Sequence, residues 1–168
     1  CTDYESERQC DVWSQNCPEA EKCMPWANDG GSAWNATKCT PLDPAPQQPG
    51  EVCTTEGGGV SGVDNCEKAS MCWDIDGETQ EGVCIAFCMG TKEDLTCEPG
   101  FDCAFASDGV LFLCLPTCDP LLQDCSGDDL CIPNGENFIC VLDASGKEGF
   151  YGDPCEYVNA CKPGLYCL

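Results

Sequence analysis

Thiols are the chemistry this sequence offers in quantity: cysteine fills 20 of 168 positions and histidine none. Clustered thiolates can hold a metal or lock a chain with permanent crosslinks. Zinc modules space their ligands as C-x2-C, usually with histidine. Here no C-x2-C pair occurs, and the closest pairs, Cys84/Cys88 and Cys114/Cys118, are C-x3-C. The density lies well above the ~8–10% that marks a disulfide scaffold, and the even number permits full pairing in an oxidising compartment. Crosslinking is the expected role of every cysteine.

Other chemistries are restricted by what is missing. Without histidine there is no histidine base for a nucleophile and no histidine haem ligand. Two carboxylates suffice for glycoside hydrolysis, but among 30 acidic residues nothing singles out one pair, so no enzyme is expected. Calcium is the one cofactor candidate. The stretch WDIDGETQE places Asp74, Asp76 and Glu78 in a D-x-D-G context like the start of a calcium loop, without the full twelve-residue spacing. Asp76-Gly77 also reads as a plain turn. Asp128-Asp129, and Asp143 with Glu148, offer further loop oxygens.

The net charge of −23, with seven basic residues scattered singly, repels nucleic acid and anionic lipid and favours solubility. The longest apolar run, Val110 to Leu115, is far short of the ~18 residues of a membrane helix. Three of four tryptophans, Trp13, Trp26 and Trp34, fall early, with Trp73 further on. They are candidate contacts for glycan or protein, with disulfide shielding as the alternative. Leu111 and Phe112 in the run VLFL, and Leu121-Leu122, mark a partner surface if exposed and packing between units if not. Asn35-Ala36-Thr37 is an N-glycosylation sequon.

These residues must be positioned by a repeat. The spacing C-x5-C occurs five times, and flanking cysteines extend it to a four-cysteine unit, a to d. The units are Cys10/Cys17/Cys23/Cys39, Cys53/Cys66/Cys72/Cys84, Cys88/Cys97/Cys103/Cys114 and Cys118/Cys125/Cys131/Cys140. A fifth, Cys155/Cys161/Cys167, lacks d, and Cys1 is left over. Between c and d lie Asp29-Gly30, Asp76-Gly77, Asp108-Gly109 and Asn134-Gly135, dipeptides that suit tight hairpins. Each unit is expected to be a small β-hairpin tied to the loop before it. Of three connectivities, a–c with b–d is favoured, because it ties each strand separately to that loop. A unit of about 30 residues buries too little to fold alone, so crosslinks must substitute.

The expected fold is small, disulfide-rich and mostly β, an elongated rod of tandem hairpin units with few helices. The expected organisation is an N-terminal segment 1–9, unit one at 10–39, a proline-rich linker 40–52, compact units two to four at 53–140, a linker 141–154 and the incomplete fifth unit 155–168. Units one and four share C-D-x-x-x-Q-x-C, in CDVWSQNC and CDPLLQDC, and the linkers after them end GEVC and GDPC. On that alignment Cys1 corresponds to Cys114, a d cysteine. It has the register to complete the fifth unit, within one chain or head-to-tail between chains; a cysteine beyond Leu168 is the third option. A chain starting at cysteine reads as a mature chain or a fragment.

The segments CPEAEKCMPWANDGGSAWNATKC, CDPLLQDC and DASGKEGFYGDPCEYVNACKPGLYC resemble cysteine-rich exported proteins of myxobacteria and their relatives, over nearly the whole of Cys10 to Cys167. Many of those proteins read as lipoproteins. The resemblance implies export and a disulfide framework, and no particular activity. It also implies further cysteines past the GLYC segment, and raises lipidation of Cys1, after which the usual polar spacer is absent.

The function expected is therefore that of an exported, non-enzymatic structural protein at the cell surface, in a matrix or in a filament. Its partners would be other protein subunits, through self-association or a larger surface assembly. The alternatives are an extracellular binding module for glycan or protein, assisted by calcium, and an accessory subunit of an exported complex.

Overall fold

Strands form where each of the first four C-x5-C segments runs into the hairpin after it. A computed structural model describes residues 8–146, 148–165 and 167. In unit one, β1 (Glu21–Trp26) pairs with β2 (Ala36–Pro41) so that Cys23 lies directly opposite Cys39. In unit two, β4 (Ser70–Trp73) pairs with β5 (Glu81–Ala86), again with Cys72 opposite Cys84, and β3 (Val52–Thr54) adds a third strand in the order β3-β5-β4. Unit three has a short extra hairpin, β6 (Met89–Thr91) with β7 (Asp94–Thr96), before its main pair β8 (Phe101–Ala106) and β9 (Leu111–Pro116). In unit four, β10 (Leu130–Asn134) pairs with β11 (Asn137–Val141), and Cys131 faces Cys140.

Facing cysteines on one hairpin do not bond to each other. Each reaches back to the preceding loop: Cys10–Cys23 and Cys17–Cys39, Cys53–Cys72 and Cys66–Cys84, Cys88–Cys103 and Cys97–Cys114, Cys118–Cys131 and Cys125–Cys140. This is the a–c, b–d pattern. The crosslinks close separations of 13 to 22 residues, each stabilising by ~3 kcal/mol through restriction of the unfolded chain. In the fifth unit Cys155 bonds to Cys167, and Cys161 is a buried free thiol. Cys1 lies outside the described residues. The chain is thus a mostly β, disulfide-rich protein built from hairpin units. Nine crosslinks are those of a chain that folds under oxidising conditions. No helix among the described residues is long and apolar enough to cross a membrane.

The turn chemistry is more varied than the dipeptides suggest. Gly30 and Gly109 take left-handed φ angles of 74° each. In unit four the two-residue loop is Gly135-Glu136, since Asn134 already pairs with Asn137, and Gly135 carries the positive φ of 62°. In unit two the left-handed residues are Asp74 and Gln80, at 51° and 60°, rather than Gly77.

The chain divides into two compact bodies, Cys1–Cys97 with Cys103–Cys114, and Glu98–Asp102 with Leu115–Leu168. Disulfides make up much of the interior of each. In the first body one cluster gathers Cys53, Cys66, Cys72 and Cys84 with Ile75 against it, and another gathers Cys88, Cys103, Phe112 and Cys114 with Trp13, Ala86 and Leu95. In the second, Leu115, Leu130, Cys131, Ile132, Ile139 and Cys140 are buried. The segment 40–52 is hydrogen-bonded to both its neighbours in the first body. Leu42 N donates to Ala20 O, Gln47 N to Asn65 O, and Gly50 N to Cys84 O.

Candidate functional site

In units one and four the loop between a and b is built from the same polar contacts. In unit one Asp11 N donates to Asn16 Oδ1 and Gln15 N to Asp11 O; in unit four Asp119 N donates to Asp124 Oδ1 and Gln123 N to Asp119 O. Both glutamines take left-handed φ, 48° and 49°, and their amides donate to the carbonyls of Val12 and Pro120. C-D-x-x-x-Q-x-C is therefore a folding motif that carries its middle residues on a rigid tip.

What the tips carry differs. In unit one, Trp13 is half-buried and meets Phe112 edge-on with ring centroids 5.1 Å apart. Two expected contact residues thus contact each other. Leu111 and Phe112 are 1% and 7% exposed, so the VLFL run packs within the first body. In unit four the matching tip is Leu121 and Leu122, which are 92% and 71% exposed. Phe150, Tyr151, Tyr157 and Val158, all in the second body, are also exposed.

A second tryptophan contact joins units one and two. Trp34 stacks on Trp73 at 5.7 Å, and Lys38 Nζ stands 4.5 Å from the Trp26 ring centroid, in reach of a cation–π attraction. The indole N–H groups of Trp26 and Trp34 have no acceptor among the described residues. The same two units share a buried ion pair that no local pattern announces. Lys22 Nζ donates to Asp64 Oδ1 at 2.5 Å, to Cys66 O at 2.8 Å and to Ser70 O at 3.3 Å. Asp64 also accepts from Cys66 N and Cys72 N. Burial lowers the Lys22 pKa from its ordinary 10.5, while the Asp64 charge opposes that shift. Every ammonium proton has an acceptor, so the pair clamps unit one to unit two.

Of the calcium candidates, Asp74, Asp76, Glu78, Asp128, Asp143 and Glu148 are exposed and Asp129 is half-buried. Asp76 Oδ1 accepts from Glu78 N, Thr79 N and Thr79 Oγ1, and these bonds hold its carboxyl below the usual 3.8. The carboxylate organises its own turn. Among the described residues, the only groups of three or more candidate ligand atoms within 4.8 Å of one another are cysteine sulfurs, nearly all of them in disulfides. A cleft of about 560 Å³ in the second body is lined by Gln123, Asp128, Asp129, Asp143 and Lys162 among others. Asp143 there is held below its usual range by Ser145. Asn35, the sequon residue, is half-buried, and its side-chain oxygen accepts from Asn28 N.

No protein-family model, curated protein or solved structure matches the chain.

Proposed function

We propose that the chain is an exported, non-enzymatic structural protein, a building block of a cell-surface, matrix or filament assembly. The observation that carries this reading is the contrast between two equivalent tips. The C-D-x-x-x-Q-x-C loop of unit one packs its apolar residue against Phe112, whereas that of unit four presents Leu121 and Leu122 to solvent. A rigid loop holding two exposed leucines is suited to docking, since their burial is worth ~1.5–3 kcal/mol each. The export expected of such a crosslinked chain agrees with a role outside the cell.

The test is sedimentation velocity of the wild-type chain and of Leu121→Ser/Leu122→Ser. The experiment is run at about 0.15 M salt, where the Debye length of ~8 Å screens the acidic surface. The proposal expects concentration-dependent assembly of the wild type, and at least a tenfold weaker association of the double variant with unchanged thermal stability. A wild type that stays monomeric at high micromolar concentration, in low and moderate salt alike, would overturn it.

A further inference from the structure

Unit one shows what a C-D-x-x-x-Q-x-C tip packs against. Its Trp13 meets Phe112 of unit three edge-on, with ring centroids 5.1 Å apart, and the next tip residue is the exposed Ser14. Phe112 is only 7% exposed, and its ring has a second neighbour. Phe105, on the facing strand of the same hairpin, meets it edge-on at 5.5 Å. Trp13, Phe112 and Phe105 thus form a chain of ring contacts on the first body, and its far end is bare: Phe105 is 62% exposed. A cation borders this face. A Cβ placed on Gly109, in the β8–β9 turn, would lie 3.8 Å from Phe112 Cζ and 3.9 Å from a guanidinium nitrogen of Arg8.

The tip of unit four has the same backbone frame and nothing to pack on. Leu121 takes the place of Trp13 and Leu122 that of Ser14, and both are exposed, at 92% and 71%. Asp119 and Asp124 flank them, are exposed themselves, and share the loop with no cation. One surface is therefore a leucine pair on a rigid acidic loop. The other is an aromatic edge with an arginine at its border.

We propose that the unit-four tip of one copy docks on the Phe105 edge of the unit-three hairpin of a second copy, with Arg8 facing the charges of Asp119 and Asp124. Three observations favour a second copy as the occupant. Leu121, Leu122 and Phe105 are all exposed within the single chain, so it does not bring them together. The face continues a contact of tip on hairpin that the chain already makes at Trp13 and Phe112. The charges are complementary in a molecule of net charge −23, where most pairs of surfaces repel. Two different patches meet in this interface, so it is heterologous, and repetition gives a ring or an open filament. The proposal deepens the assembly reading by naming the surface the leucines meet, and it rests on that reading.

The experiment is sedimentation velocity of Phe105→Ser, of Leu121→Ser/Leu122→Ser, and of the two variants mixed, beside the wild type. Each variant alone should associate at least about tenfold more weakly than the wild type. The mixture should form a dimer and nothing larger, because one chain keeps an intact tip and the other an intact face. A dimer also shows that both variants fold. A wild type that stays monomeric removes the assembly reading and this proposal together. A wild type that assembles while Phe105→Ser assembles equally well overturns this proposal alone and leaves the assembly reading standing. A second measurement keeps the test independent of the folding of Phe105→Ser. A chain carrying p-benzoylphenylalanine at position 122 is irradiated with an isotope-labelled wild-type copy, and the crosslinked peptides are mapped. Crosslinks to residues 105–112 of the labelled copy are expected. Crosslinks confined to the labelled copy's own tip, 119–125, or to any other segment, overturn the proposal.

Discussion

Replacing Lys22 by methionine tests how the first body is held together. The side chain is fully buried and its ammonium donates to one carboxylate and two carbonyls. Methionine nearly matches the apolar stem, so the volume change is small. What remains is a buried Asp64 carboxylate deprived of its cation, together with Cys66 O and Ser70 O deprived of a donor. Removing one partner of a buried pair costs ~3–5 kcal/mol. Asp64 keeps two backbone N–H bonds, which places the expected loss at the lower end, about 3 kcal/mol. For a body of this size each kcal/mol moves the melting temperature by ~4–8 °C, so a fall of at least about 12 °C is expected by calorimetry with disulfides intact. Lys38→Met, which removes only the contact over Trp26, should cost ~0.5–1 kcal/mol. Asp64→Asn added to Lys22→Met should cost less than the sum of the single changes, because no charge is then stranded. A Lys22→Met protein within ~1 kcal/mol of wild type would refute the reasoning, and unit one would have to be held to unit two by the aromatic contact and backbone hydrogen bonds such as Ala27 N to Val60 O.

Gln15→Leu removes a buried amide that bonds Val12 O and both backbone groups of Cys23; a loss of ~1–3 kcal/mol in denaturant titration is expected, with much less for an exposed neighbour such as Ser14→Ala. Gly62→Ala should be destabilising by ~1–3 kcal/mol, since the residue has φ 71° and a Cβ would meet Pro25 O at 2.9 Å and Trp26 Cβ at 3.0 Å. Gly127→Ala, with φ 64° and open space around it, should cost less; equal effects would contradict the packing argument. Asp76 should titrate below 3.8 by NMR, with the Glu78 and Thr79 amides reporting. Because its folded pKa is depressed, the contribution of those bonds is whole above the unfolded value and is lost as pH falls through the folded one. A midpoint at or above 3.8 would remove the capped turn from the account.

Fold and site were legible in the sequence to different depths. Four of the five C-x5-C spacings, with the glycine dipeptides, locate the main hairpins because both encode short-range geometry. The hairpin β6–β7 was missed because its loop, Lys92-Glu93, holds neither glycine nor asparagine and its strands have three residues each. The Asp76-Gly77 dipeptide marks the unit-two turn but not its left-handed residues, which are Asp74 and Gln80, because non-glycine residues at positive φ leave no signal in the sequence. Contacts between units were out of reach. Lys22 and Asp64 are 42 residues apart, and neither stands out in a chain with 30 acidic residues. Trp13 and Phe112 were both noticed, but their meeting depends on the packing of unit one against unit three. The contrast between Trp13 and Leu121 was written in the alignment of units one and four, and gained meaning only when one tip proved covered and the other bare.

The most direct test of the central claim, that the chain is a series of hairpins each stapled a–c and b–d to its preceding loop, is a non-reducing peptide map of the native protein. Digestion at acidic pH, which suppresses exchange by keeping thiols protonated, followed by mass spectrometry should recover Cys10–Cys23 with Cys17–Cys39 and the same pattern in units two, three and four. Recovery of c–d pairs such as Cys23–Cys39 or Cys72–Cys84, which face each other across their hairpins, would contradict it.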